Sequence, residues 1–205
     1  MSVGMAQKQM NEMLQLILTT STSEWIAFFS SILYVVIIAL QKKIAWVFAF
    51  ISSALYVYLC FSSKLYLDSF LQFFYVLAAI YGWMQWNKTD LNEKLSKKNI
   101  RFHLSAIGIC LVISLSIGWI MKTFTDQASP YLDATITITS LFATYLVARK
   151  IIDNWVYWIF IDLACIPIFY SRGLYLTSIL YLIYAIIAIV AFFKWNKEYR
   201  KQHEL

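Results

Sequence analysis

Apolar residues run almost unbroken through seven stretches of the chain, each closed by polar or charged residues. They are Glu24 to Leu40, Ile44 to Ser62, Tyr66 to Trp86, Phe102 to Met121, Tyr131 to Ala148, Trp155 to Tyr170 and Leu174 to Trp195. A helix needs about 20 mostly apolar residues to cross a bilayer. The pattern therefore predicts an all-α, polytopic membrane protein with seven transmembrane helices. Ahead of the first span, Met13, Leu14, Ile17 and Leu18 stand at helical spacing within Met10 to Leu18. That segment reads either as a short helix in the membrane interface or as a frayed terminus. No basic region with a small-residue cleavage site precedes the first span, so no removed signal peptide is expected.

Composition agrees with this reading and narrows it. The 205 residues are 61% hydrophobic and only 14% charged, with a mean hydropathy of +0.66. A soluble domain is about 45–50% apolar and roughly 25% charged, so the chain has too little polar surface for a globule in water. Five Gly and two Pro argue against a disordered or collagen-like chain. Cys60, Cys110 and Cys165 lie singly in separate apolar stretches, without metal spacing, and read as packing residues.

The net charge of +6 carries topological information. Lys42, Lys43, Lys88, Lys94, Lys97, Lys98, Arg101, Arg149, Lys150, Lys194, Lys197, Arg200 and Lys201 fall on one side of the proposed spans; only Lys8, Lys64, Lys122 and Arg172 fall on the other. Because cytoplasmic loops collect Lys and Arg, the amino terminus is expected outside and the carboxyl terminus in the cytoplasm. A nucleic-acid partner would need these residues on one water-facing surface, which the hydropathy forbids.

The first three spans align with the last three without a gap. A shift of 109 pairs Trp46 with Trp155, Ser31 with Ser140, Ser62 with Ser171 and Tyr75 with Tyr184. The same shift pairs Leu65-Tyr66-Leu67 with Leu174-Tyr175-Leu176, and Trp86-Asn87-Lys88 with Trp195-Asn196-Lys197. Two three-helix units of like orientation need an odd number of helices between them, and Phe102 to Met121 supplies one. Parallel repeats with a midplane substrate site are a transporter construction, so the expectation is a carrier rather than an enzyme.

Polar side chains at membrane depth are costly and mark either function or helix packing. Asp162 lies mid-span in the sixth stretch. Gln72, with Ser69 and Tyr75 nearby, lies in the third; Thr137, Ser140 and Thr144 lie in the fifth. The bland reading of Gln72 is an interhelical hydrogen bond worth about 0.6 to 2 kcal/mol; the functional one is solute contact. Asn154-Trp155-Val156-Tyr157-Trp158 opens the sixth span and places two indoles three residues apart, on one helix face. An interfacial belt accounts for many of the 8 Trp and 14 Tyr, among them Trp83, Trp86 and Trp195. Trp155 and Trp158 could instead sandwich a flat ring, and a cationic one would gain roughly 0.5 to 2 kcal/mol per face. His103 and His203 lack neighbours at metal-ligand spacing, no Glu lies in the interior of a span, and there is no G-x-S-x-G or Walker-type loop. A membrane hydrolase, a metal site, a bound cofactor and an ATP-driven pump are therefore not expected.

Taken together, these motifs resemble the PnuC family of bacterial vitamin transporters. The resemblance covers nearly the whole chain: Lys64-Leu65-Tyr66, Leu71-Gln72, Tyr81-Gly82-Trp83 and Trp86; then Pro130-Tyr131-Leu132-Asp133, Ala148-Arg149-Lys150, Asn154-Trp155 to Trp158, and Gly173-Leu174-Tyr175. It implies a SWEET-like arrangement of two parallel three-helix repeats joined by a linker helix. It also implies uptake of nicotinamide riboside across the inner membrane by facilitated diffusion with alternating access, intracellular trapping by a phosphorylating kinase, and a homotrimer. The family's substrate residues carry over to Trp155, Trp158 and Gln72, and the wider candidate set adds Asn154, Thr144, Ser140, Tyr75, Trp46 and Asp162. Thr144 departs from the Gln that many members carry there, which keeps thiamine, the solute of the related PnuT type, as the alternative. A membrane scaffold without a solute is the reading from a different class.

The expected organisation is an outward amino-terminal segment (1–23), a first repeat (24–88), and a cytoplasmic loop, linker helix and outer loop (89–130). A second repeat (131–197) and a cytoplasmic tail (198–205) follow.

Overall fold

The computed structural model describes residues 21–62, 66–88, 94–126, 129–171 and 175–203. Lys8, the segment Met10 to Leu18, Lys64, Leu65, Arg172, Gly173, Leu174 and the Cys60 side chain lie outside the described residues. Seven helices follow in order: α1 (Thr22–Ala39), α2 (Ala45–Ser62), α3 (Tyr66–Lys88), α4 (Ile100–Phe124), α5 (Pro130–Ala148), α6 (Asn154–Ser171) and α7 (Tyr175–His203). Each coincides with one apolar stretch, so the all-helical class read from the hydrophobic pattern is the class observed. α1, α4, α5, α6 and α7 are each long and apolar enough to span a bilayer. The outward faces of α2 and α3 are also apolar, carrying Phe50, Ile51 and Phe61 on one, and Phe70, Phe74, Leu77 and Met84 on the other.

Local chemistry sets the helix ends. Ser21 and Glu24 form a reciprocal capping box at α1: the Ser21 N–H donates to Glu24 Oε2 at 2.6 Å and the Glu24 N–H to Ser21 Oγ at 3.2 Å. Asn99 Oδ1 accepts the Phe102 N–H at 2.9 Å to start α4, and Pro130 occupies the first turn of α5. α1 and α5 both end on a residue in the left-handed region, Gln41 (φ 57°) and Lys150 (φ 52°). These positions are 109 apart.

The helices close into a ring in which α1 packs on α2, α2 on α3, α3 on α5, α5 on α6, α6 on α7 and α7 on α1. The backbone of α4 stands outside, close to α5 alone among the described helices. Its buried residues are small and lie on one face: Ala106, Ser114 and Gly118. A Cβ at Gly118 would lie 2.5 Å from Tyr131 Cδ1, so glycine is what lets the two backbones approach. The rest of α4 presents exposed Leu104, Ile109, Val112, Leu115 and Trp119, a surface suited to lipid rather than water.

Contacts recur at the same register in the two halves. Trp46 meets Trp86 edge-on at 5.9 Å, and Trp155 meets Trp195 edge-on at 5.4 Å. Trp86 Nε1 donates to the Ala148 carbonyl at 3.0 Å, and Trp195 Nε1 to the Ala39 carbonyl at 3.1 Å. Each half thus binds the free carbonyl end of the other half's first helix, where the intrahelical ladder leaves acceptors unpaired. Ser69 Oγ donates to the Val57 carbonyl and Ser178 Oγ to the Ile166 carbonyl, both at 2.9 Å. Trp86 and Trp195, expected in an interfacial belt, are instead core residues, 6% and 0% exposed. Their indole N–H groups find protein carbonyls rather than headgroups, and this is why they are drawn inside. Trp83 stays half-buried at the rim, beneath the Lys43 ammonium at 4.7 Å.

α7 runs on to His203, so residues expected as a tail are mostly helical. Gln202 Oε1 there accepts the Leu95 N–H at 2.9 Å. This contact fastens the 94–99 segment, which also pairs with the α5–α6 turn: Ser96 N–H donates to the Lys150 carbonyl at 3.2 Å and Ile152 N–H to the Ser96 carbonyl at 3.0 Å.

Candidate functional site

The ring encloses a polar cluster to which all six of its helices contribute. Ser31 of α1 and Tyr184 of α7 share a hydrogen bond of 2.7 Å. The positions related to them by the 109-residue shift, Ser140 of α5 and Tyr75 of α3, lie close enough for their hydroxyls to interact. Tyr56 of α2 lies within electrostatic range of Tyr184. Asp162 of α6 lies within range of Tyr181 and Tyr184. Cys165, one turn beyond Asp162, is within range of Tyr75 and Tyr181. Hydroxyls, one carboxyl and aromatic rings thus converge where hydropathy alone would place a dry core. Such groups are retained in a membrane interior where they pair with one another or face a solute.

The candidate residues divide between this cluster and its surroundings. Ser140 is buried and Tyr75 half-buried, near one another across α3 and α5. Asp162 is 3% exposed, and among the described residues its carboxyl makes no hydrogen bond and no ion pair. Trp158 is half-buried and touches both apolar clusters, the large one around Trp46, Trp86, Trp155 and Trp195 and a smaller one of Ala143, Ile161 and Cys165. Gln72 is half-buried on α3, one turn from Tyr75.

Trp46 and Trp155 are sealed, at 1% and 2% exposed, and neither indole N–H has an acceptor among the described residues. Asn154 is wholly buried; its Nδ2 donates to the Ile151 carbonyl at 2.6 Å, while Oδ1 has no partner among the described residues. These three orphaned atoms all belong to the first turns of α2 and α6. A buried unpaired polar group costs about 1–3 kcal/mol. Thr144 Oγ1 donates back to the Ser140 carbonyl at 2.8 Å, and the residue lines a groove of about 320 Å³ between α3 and α5. Phe74, Leu77, Tyr81 and Tyr145 share that groove and are exposed, so Thr144 faces the flank of the ring.

Ser31, Tyr34, Tyr56, Tyr181 and Tyr184 belong to the cluster but were not among the sequence candidates. The signal for two of them was present: the shift that pairs Ser31 with Ser140 and Tyr75 with Tyr184 relates the hydrogen-bonded Ser31–Tyr184 pair to the neighbouring Ser140 and Tyr75. His103 was set aside as a metal ligand, and the described residues hold no group of three or more ligating side chains. It has a structural partner set instead. Nε2 lies 3.3 Å from Asp153 Oδ2 and Nδ1 2.9 Å from the Tyr157 hydroxyl. Asp153 Oδ2 also accepts the Lys98 N–H at 2.8 Å, which ties the start of α4 to the α5–α6 turn.

A ring of apolar-faced helices around an enclosed polar cluster defines a multi-pass membrane protein with an interior suited to a polar solute. The family described as nicotinamide mononucleotide transporter matches residues 21–197, and the chain belongs to that family. It is 26% identical over 192 residues to the nicotinamide riboside transporter PnuC of Escherichia coli, covering 80% of each protein. It is likewise 26% identical over 123 residues to the riboflavin/roseoflavin transporter RibM of Streptomyces davaonensis, covering 57% of this chain and 58% of that one. In fold it is similar to the crystal structure of the vitamin B3 transporter PnuC, with a TM-score of 0.74 at 21% identity, covering 95% of this chain and 89% of the other.

Proposed function

We propose that the protein takes up nicotinamide riboside across the inner membrane by facilitated diffusion. Its two parallel three-helix units, 24–88 and 131–197, rock about the enclosed cluster while α4 links them. The observation that carries this reading is the polar cluster to which every ring helix contributes, because a solute stripped of water needs replacement partners at that depth. Trp158 supplies an aromatic surface, Gln72 an amide, and Tyr75 and Ser140 hydroxyls for a ribose. Trp46, Trp155 and Asn154, sealed within the first turns of α2 and α6, hold the helices around the cluster rather than meeting the solute. Thr144, bonded to its own helix and turned to the flank, contributes packing.

The relatives named above differ in the solute their names carry. The riboside is favoured here because the riboside transporter aligns over 80% of the chain, against 57% for the riboflavin transporter. Thiamine, another flat cationic heterocycle, is the competitor to include in any assay. In this reading the amino terminus faces outward, the basic helix ends face the cytoplasm, phosphorylation by a kinase makes uptake one-way, and three copies assemble in the lipid.

The test is uptake of labelled nicotinamide riboside in cells lacking other carriers, with surface expression measured. Trp158→Ala should lower uptake at least about tenfold, the effect of losing one well-placed aromatic face of roughly 0.5 to 2 kcal/mol together with solute orientation. Unchanged uptake at equal expression would remove Trp158 from the site. No uptake of the riboside by the unaltered protein would remove the substrate.

A further inference from the structure

We propose that Asp162 is the counter-ion of the transported solute, and that the site selects a fixed positive charge on the ring it binds. The inference rests on the transport reading above and narrows it to a charge class. Asp162 is buried, lies within electrostatic range of tyrosines on α7, and makes no hydrogen bond or ion pair among the described residues. The groups facing the cluster from the other ring helices are the hydroxyls of Ser31, Tyr34, Tyr56, Tyr75, Ser140, Tyr181 and Tyr184, with the neutral amide of Gln72 one turn from Tyr75 and the Cys165 thiol beside Asp162 on α6. None is a cation. The described Lys, Arg and His residues lie at helix ends, between helices or in the basic last ten residues of α7, with His103 occupied by Asp153 and Tyr157.

An ionised carboxylate without a partner at this depth is strongly disfavoured. Solute charge therefore decides the matter. A cationic ring seated near Trp158, one helical turn away from Asp162, supplies the missing partner, and the indole face attracts the same charge. A neutral ring leaves the carboxyl unpaired. A phosphorylated solute adds an anion to a cluster that has no cation to receive it, so the charge logic also excludes a mononucleotide and keeps the phosphorylated product from returning through the site. The position equivalent to Asp162 in the first half is Ser53, so the charge is not part of the duplicated frame.

The experiment compares two solutes of nearly identical shape, nicotinamide riboside and its neutral 1,4-dihydro form, by calorimetric binding to purified full-length protein. The unaltered protein should prefer the cation. Asp162→Asn should weaken cation binding by roughly thirtyfold or more, the usual consequence of removing one member of a buried charge pair, and leave neutral binding within about threefold. Asp162→Glu, which keeps the charge, should restore part of the preference; it also reports on folding, since both variants must elute from size exclusion as the unaltered protein does. If Asp162→Asn folds and weakens both solutes equally, or neither, the counter-ion role is wrong. If the unaltered protein binds neither solute, the transport reading fails first.

Discussion

The two halves of the ring share a frame but not a lining. Trp46 and Trp155, Trp86 and Trp195, Ser69 and Ser178, and the left-handed Gln41 and Lys150 occupy matching positions with matching partners. At other matching positions the halves diverge: Ser53 against Asp162, Ala49 against Trp158, Tyr34 against Ala143, and Gln72 against Tyr181. In the proposed transport reading, the matched positions serve the docking of the two halves and the unmatched ones serve the solute. A small asymmetric molecule has no two-fold axis, so a site built for it gains nothing from a symmetric lining.

The comparison can be broken most severely at the paired indoles. Trp46→Ala and Trp155→Ala each empty a sealed site and should cost about 3–5 kcal/mol of stability, seen as similar drops in midpoint in a thermal unfolding series in detergent. A large inequality would show that the frame is not shared. Next comes Gly82, whose Cβ would lie 2.4 Å from the Trp46 ring, whereas Ala191 stands at the matching place beside Trp155. Trp46 is held by Trp86 and Tyr34 and has little room to retreat. Gly82→Ala should therefore destabilise by about 1–3 kcal/mol, and Ala191→Gly by no more than about 1 kcal/mol. Trp86→Phe and Trp195→Phe remove one hydrogen bond apiece and should each cost about 0.6 to 2 kcal/mol. The smallest effect is a gain. Gln41→Gly and Lys150→Gly relieve a left-handed backbone and should raise the unfolding midpoint equally, by the equivalent of about 1 kcal/mol.

Much of this frame was legible in the sequence. All seven helices sit on the apolar stretches because length and apolarity are what a bilayer demands, and no tertiary contact is needed to know it. The 109-residue shift exposed the duplication, since matched triplets such as Trp86-Asn87-Lys88 and Trp195-Asn196-Lys197 survive in register. The roles of those residues were less legible. Trp86 and Trp195 at span ends look like interfacial anchors until the carbonyls of Ala148 and Ala39 are seen within reach, a contact between residues 62 and 156 positions apart. Of the residues in the polar cluster, Asp162, Tyr75 and Ser140 stood out in the sequence, as polar groups at membrane depth or through the 109-residue shift. Tyr34, Tyr56 and Tyr181 are ordinary tyrosines in an aromatic chain, and nothing local says which of the 14 turn inward. The tie between His103, Asp153 and the 94–99 segment likewise depends on how loops fold over helix ends, which periodicity does not encode.

The most direct test is equilibrium binding to the purified, full-length protein, with nicotinamide riboside, thiamine, riboflavin and nicotinamide mononucleotide measured side by side. The account predicts saturable binding of the riboside that is lost in Trp158→Ala, with the mononucleotide and riboflavin binding at least tenfold more weakly. Tightest binding of riboflavin or of the phosphorylated mononucleotide would contradict it.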